Sequence, residues 1–120
     1  IFQPVRIGAH TYVDGGLVSP VPAKFAREMG ADFVIAVNIS SQADVLTNSG
    51  SLDVLLQTFT IMGQRINRYE LKEADVVIQP GLGAMKGNDF NGRNMAIMAG
   101  EKATVAAMGE IKRKLNAMQQ

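Results

Sequence analysis

The chain has 120 residues, 47% apolar and 19% charged, with a formal net charge of +1. That balance is typical of a soluble globular protein and argues against a dedicated nucleic-acid binder, which carries a basic excess on one face. Cysteine is absent and histidine occurs once, which excludes disulfides, thiolate metal sites and cysteine nucleophiles, and no apolar run approaches the roughly 18 residues of a membrane span.

Ile1-Phe2-Gln3-Pro4 resembles neither a start methionine nor a signal peptide, so the chain is expected to begin in mid-fold. Val5 to Ile7 and Thr11 to Val13 read as two short strands joined by Gly8-Ala9-His10, where Gly8 permits unusual backbone angles. Asp14-Gly15-Gly16 breaks the second strand. Ser19-Pro20-Val21-Pro22 follows, and Pro22 suits the first turn of a helix running to about Met29. Gly30 is its expected stop. Phe33 to Val37 is a nearly continuous apolar run, as in a parallel strand buried on both faces.

Residues 40 to 51 are polar and rich in Ser, Asn and Gly, which predicts a surface loop. An amphipathic helix follows, with Leu55, Phe59, Met62, Ile66 and Tyr69 on one face. Val76 to Ile78 is another apolar strand, closed by Pro80-Gly81, and the glycine-rich segment 81 to 92 is read as a second loop. The last helix is expected from about Met95 to Met118. Met98, Val105, Met108, Ile111 and Leu115 would form its inner stripe, and Asn91 or Asn94 its cap.

The order is β-β-α-β-α-β-α, which predicts an α/β fold with a mainly parallel sheet, flanking helices and right-handed crossovers. Three parallel strands and a hairpin make a narrow sheet with an open edge. Further strands are therefore expected on the N-terminal side, outside this sequence.

Ligands of open parallel sheets bind beyond the carboxyl ends of the strands. Asp14 stands at such an end, so Asp14, Asn38 and the 81 to 92 loop are expected to face one cleft. Gly15 and Gly16 would let another segment approach the Asp14 carboxylate. Taken alone, Asp14-Gly15-Gly16 reads first as an ordinary turn. His10, four residues before Asp14, reads as an exposed turn histidine; the competing role is a member of a Ser-His-Asp arrangement. Gly81-Leu82-Gly83-Ala84-Met85-Lys86-Gly87 follows a strand, yet it matches neither common phosphate-loop spacing. Lys112-Arg113-Lys114 reads as a solvated helix end, with weak attraction to anionic membranes as the secondary reading.

The stretch from Tyr12 to Ser40, YVDGGLVSPVPAKFAREMGADFVIAVNIS, resembles the patatin-like phospholipase family, especially its small bacterial members. The shared pattern is a strand ending in Asp-Gly-Gly, a Pro-x-Pro helix start, and Gly-Ala-Asp leading into an apolar strand. Ala74 to Pro80 (ADVVIQP) and Asp89-Phe90 extend the resemblance over most of the chain. Ser19 departs from it, where many relatives carry Asn. The resemblance implies that residues 1–120 are the C-terminal portion of one larger three-layer hydrolase domain. It also implies a Ser-Asp dyad cutting acyl esters of lipids, with Asp14 as catalytic base and Gly15 and Gly16 shaping its turn. The family serine lies in Gly-x-Ser-x-Gly, and the oxyanion loop lies upstream of it.

None of Ser19, Ser40, Ser41, Ser49 and Ser51 has that setting; Thr47 to Ser51 is the nearest imitation. The chain alone is thus expected to be inactive. Its expected partners are an acyl ester substrate and the missing N-terminal part or a second chain, without nucleic acid. No metal or organic cofactor is implied, and the expected location is cytoplasmic with peripheral membrane contact. The competing reading is a non-catalytic α/β interaction or regulatory domain.

Overall fold

A computed structural model describes residues 3–40, 50–83, 85 and 90–120. Strands β1 (Val5–Ile7) and β2 (His10–Tyr12) form an antiparallel hairpin with Val5 opposite Tyr12 and Ile7 opposite His10. Gly8, at φ 60°, is the first residue of a two-residue loop, a backbone position that glycine occupies without strain. Because the loop is that short, β2 starts one residue earlier than the sequence pattern suggests.

Helix α1 (Ala23–Glu28) begins just after Pro22, which takes the cap position instead of the first turn. It ends at Gly30, which has φ 98°. Gly30 N donates to Arg27 O at 3.0 Å and Ala31 N to Ala26 O at 3.2 Å, the paired bonds of a glycine-terminated helix. Strand β3 (Ile35–Val37) follows, then α2 (Ser51–Glu70), β4 (Val76–Ile78) and α3 (Arg93–Met118). Strands β3 and β4 run parallel, with Ile35 beside Val76 and Val37 beside Ile78. The fold is therefore mixed α/β with a parallel pair.

The hairpin forms a sheet of its own, and β2 is not hydrogen-bonded to β3. All three β2 residues are exposed. The expected third parallel strand is thus not joined to the pair among the described residues.

The core is small. Val76 and Ile78 of β4 pack with Ile111 of α3, and Phe33, Ala103 and Ala107 lie partly buried around them. The helix stripes expected from sequence are only partly inside. On α3, Ile111 is buried, but Met98 and Val105 are each 68% exposed, and Met108 and Leu115 also remain exposed. The reason is one of length. A helix of 26 residues is about 39 Å long, at about 1.5 Å per residue. Strands of three residues span about 10 Å. The sheet covers no more than about two turns of α3.

On α2 the discrepancy is one of direction. Leu55, Phe59, Met62 and Tyr69 are exposed and Ile66 is half-buried, whereas Asn67 is buried. Gly92, not Asn91 or Asn94, occupies the cap position of α3, because the 3-10 turn Phe90–Gly92 runs straight into the helix. Most of the 40 to 51 loop and part of the 81 to 92 loop lie outside the described residues, including Ser41, Ser49, Ala84, Lys86, Gly87 and Asp89.

One residue links four elements. Asp75, just before β4, accepts from Val34 N at 2.7 Å and from Arg27 Nη2 at 2.6 Å. Arg27 also donates to Ala31 O, Asp32 O and Glu73 O. Lys114 of α3 donates to the Asp75 carbonyl. The Val34 hydrogen bond, and after it the Arg27 guanidinium, hold the Asp75 carboxyl below its ordinary value of 3.8 against an opposing desolvation effect. A depressed folded-state pKa stabilises the fold above the ordinary carboxylate range, and that stabilisation is lost as pH falls through the folded value. Urea titrations across pH should therefore show Asp75→Asn to be less stable at neutral pH by about 1–2 kcal/mol, allowing for solvent screening of a pair roughly a third exposed. The difference should shrink below pH ~4, a limit set by that ordinary carboxylate range. A constant difference at every pH would remove Asp75 from acid sensitivity.

Candidate functional site

Two groups of polar residues stand near the carboxyl ends of the strands. The first is the turn after β2. Asp14 ends the strand with φ −58° and ψ 122° and caps a 3-10 turn over Gly15–Leu17. Its Oδ1 accepts from Gly16 N at 2.9 Å, and its carbonyl accepts from Leu17 N at 3.2 Å. Val18 N and Ser19 N both donate to Gly15 O. These bonds close residues 14 to 19 into one compact turn leading into Pro20–Pro22 and α1.

The Asp14 side chain is thus oriented through one oxygen while the residue is exposed. Its Oδ2 makes no hydrogen bond among the described residues. A carboxylate in this state keeps acceptor capacity for a proton donor approaching from outside.

The turn also assigns different duties to its two glycines. Neither has positive φ. A Cβ on Gly15 would meet nothing within 4 Å, whereas one on Gly16 would lie 3.2 Å from Asp14 Oδ1. Gly16 therefore clears space for the carboxylate to fold back on the turn, and Gly15 leaves the outer side open.

The second group lies at the end of β3. Asn38 N donates to Ile78 O at 2.8 Å, extending the ladder by one residue. The Asn38 side chain accepts from Ser40 N at 3.1 Å and from Asn67 Nδ2 at 2.9 Å, and Asn67 Nδ2 also reaches Ser40 Oγ at 3.0 Å. Asn67 is 3% exposed, and its Oδ1 has no partner among the described residues. Ser19 Oγ is similarly buried without a described partner. A shallow groove of about 190 Å³ beside this network is lined by Pro20, Ser40, Thr60, Gly63 and Gln64. A second, apolar groove of about 300 Å³ lies between Pro20–Ala23 and β3. Pro20 borders both, so the Asp14 turn delivers the chain directly to these grooves.

Asp14 and Asn38 therefore occupy strand ends as the sequence suggests, but no hydrogen bond joins them among the described residues. The Asn38 side chain is committed to Asn67 and Ser40. Of the glycine-rich loop, the described part begins with Gly81, Leu82 and Gly83. His10 stacks on Tyr12, with ring centroids 6.4 Å apart, and does not bond to Asp14. Sequence reading overlooked Asn67, although a signal for it exists. Asp53, Gln57, Thr60, Gln64 and Asn67 recur at helical spacing and make a polar stripe on α2.

Among the described residues no group of acidic and histidine side chains is suited to a metal ion, and no helix is long and apolar enough to cross a membrane. No protein-family model matches the chain.

The glycine geometry makes a direct prediction. Gly15→Ala should leave the cap intact. Gly16→Ala should push the Asp14 carboxylate aside and weaken the turn by about 0.5–1 kcal/mol, the lower range for a lost cap. The residue-16 amide, followed by NMR, should lose its hydrogen-bonded temperature coefficient only in the second variant. Equal behaviour of the two variants would mean that the carboxylate is not held in the described geometry.

Proposed function

We propose that this chain carries the aspartate of a patatin-like Ser-Asp hydrolase that cuts carboxylic esters of lipids. The observation that carries the reading is the state of Asp14: exposed at a strand end, oriented through Oδ1, and without a partner at Oδ2 among the described residues. The ordered motifs from Tyr12 to Ser40 and from Ala74 to Pro80 give it a family context.

In this mechanism a serine from a segment outside the 120 residues approaches Oδ2. Asp14 accepts the hydroxyl proton as the serine oxygen bonds to the ester carbonyl carbon. The carbon–oxygen bond to the leaving alcohol then breaks, and Asp14 returns the proton to that alcohol. Water releases the acyl group in a second round, with Asp14 again as base. A carboxylate is a weak base for a hydroxyl, so most of the barrier reduction falls to orientation and to an oxyanion site on the serine-bearing segment. Gly15, with open space beside it, permits the close approach. The reaction requires no metal or organic cofactor.

The alternative is a non-catalytic α/β domain that packs on a partner, and the exposed apolar side chains of α2 and α3 favour it. The two readings separate on one residue. After treatment with a fluorophosphonate, the 12.9 kDa chain should keep its mass, and the label should appear on the serine-bearing polypeptide that assembles with it. In that assembly Asp14→Asn should lower kcat/KM for ester substrates by about 10²-fold or more, the usual scale of a lost general base. Labelling of this chain itself, or near-normal turnover by the Asn variant, contradicts the proposal.

A further inference from the structure

Strand β3 has the sequence of an interior strand, yet among the described residues it is paired on one side only. The run from Phe33 to Val37 is apolar on both faces, the pattern of a strand inside a parallel sheet. Val34 and Ala36 are buried, whereas Ile35 and Val37 remain exposed.

The hydrogen bonds show which way each peptide group points. Val34 O accepts from Asp75 N and Val76 N, and Asn38 N donates to Ile78 O, all toward β4. The N–H and C=O of one trans peptide point in opposite directions. Ile35 N–H and Val37 C=O therefore point to the other edge of β3. Successive residues of a parallel ladder face alternate neighbours, so Ile35 C=O and Val37 N–H point there as well. None of these four groups has a partner among the described residues. No charged residue or proline between Phe33 and Val37 guards this edge. The outer side of β4 differs, because there the Asp75 carbonyl already accepts from Lys114.

The space beside this edge suits a strand. The apolar groove of about 300 Å³ has Ile35 and Val37 on one side and Pro20, Pro22, Ala23 and Ala26 on the other. A strand laid in it would bond to β3 and be covered by α1. The groove also has a direction. Pro20 lines it and, together with Ser40, lines the smaller groove past the carboxyl end of β3. Pro20 therefore marks that end, and the Asp14–Ser19 turn leads straight into it. A strand parallel to β3 would finish beside the Asp14 turn, and the loop after it would emerge toward Oδ2. An antiparallel strand would put that loop at the far end. A serine on a strand-to-helix turn stands just after the carboxyl end of a strand.

We propose that the open edge of β3 receives a parallel strand of the serine-bearing polypeptide, bonded to the Ile35 and Val37 peptide groups and covered by Pro20 and Ala23, so that the loop after that strand faces Asp14. The identity of this partner rests on the hydrolase reading, whereas the pairing itself is measured without turnover.

The test is amide hydrogen exchange, followed by NMR on the isotope-labelled chain, alone and in the assembly with the serine-bearing polypeptide. In the chain alone the Ile35 and Val37 amides should exchange fast, while those of Ala36 and Asn38, which face β4, are protected. In the assembly the first two should slow by about tenfold or more. Isotope-filtered NOEs from both should reach backbone protons of the serine-bearing polypeptide in the pattern of a parallel pair. The same protection is expected in the assembly carrying Asp14→Asn. Protection there with undiminished ester turnover would support the pairing and remove the catalytic role of Asp14. Fast exchange of both amides in an assembly whose turnover needs Asp14 would overturn the pairing and leave the hydrolase reading standing. Protection already present in the chain alone would assign the edge to this chain or, if it rises with concentration, to a second copy; either result overturns the proposal, as does an antiparallel NOE pattern.

Discussion

The Asp75 carboxylate is the contact on which the rest of the ordered arrangement depends. It holds the backbone of Val34 at the entry to β3 and the guanidinium of Arg27 at the end of α1. The same residue offers its carbonyl to Lys114 of α3. With strands of three residues and a core centred on Val76, Ile78 and Ile111, apolar burial alone supplies little orientation. Charge-assisted hydrogen bonds are directional and stronger than neutral ones. They fix α1, β3, β4 and α3 where a larger core would otherwise do so by shape.

This constraint reaches the candidate site through the chain itself. Arg27 fixes the end of α1, α1 fixes Pro20–Pro22, and these prolines limit where the Asp14–Ser19 turn can lie. Asp14 is therefore positioned from both sides, by the β2 hairpin before it and by α1 after it. Among the described contacts helix α2 is tied to the sheet differently. Its described polar tie to the sheet end is the small network of Asn67 with Asn38 and Ser40. A buried amide bonded to two partners is a specific anchor, because turning the helix would leave polar groups without partners in a dry place. That requirement decides which face of α2 looks inward, and it leaves the apolar stripe for another surface.

Much of this was legible in the sequence, and the exceptions have physical causes. The run Val76 to Ile78 gives its strand to the residue, and Gly8 and Gly30 mark two of the positions with positive φ. The long helices follow from their periodicity. Periodicity, however, reports that a helix has two faces and not which one meets the protein. For α2 the apolar stripe of Leu55, Phe59 and Met62 suggested the inward face, whereas the Asn67 bonds to Asn38 and Ser40 turn the polar stripe inward. The hairpin's separation from β3 was equally invisible, since alternation and apolar runs do not encode which strands pair. Asp75 looked like an ordinary residue before a strand, because its importance arises from partners 41 and 48 positions away. Asp14 was singled out only through the ordered motifs around it. As a bare triplet, Asp-Gly-Gly is a common turn, and the structure describes it as a turn with one carboxylate oxygen left available.

The central claim is that this available oxygen meets a serine. The most direct measurement is a crystal structure of the assembly that contains both this chain and the serine labelled by fluorophosphonates, determined without inhibitor. The account predicts a serine Oγ within hydrogen-bond reach of Asp14, about 2.6–3.2 Å, with Oδ1 still capping Gly16. A serine served by a different base, with Asp14 facing solvent or only its own turn, would contradict it.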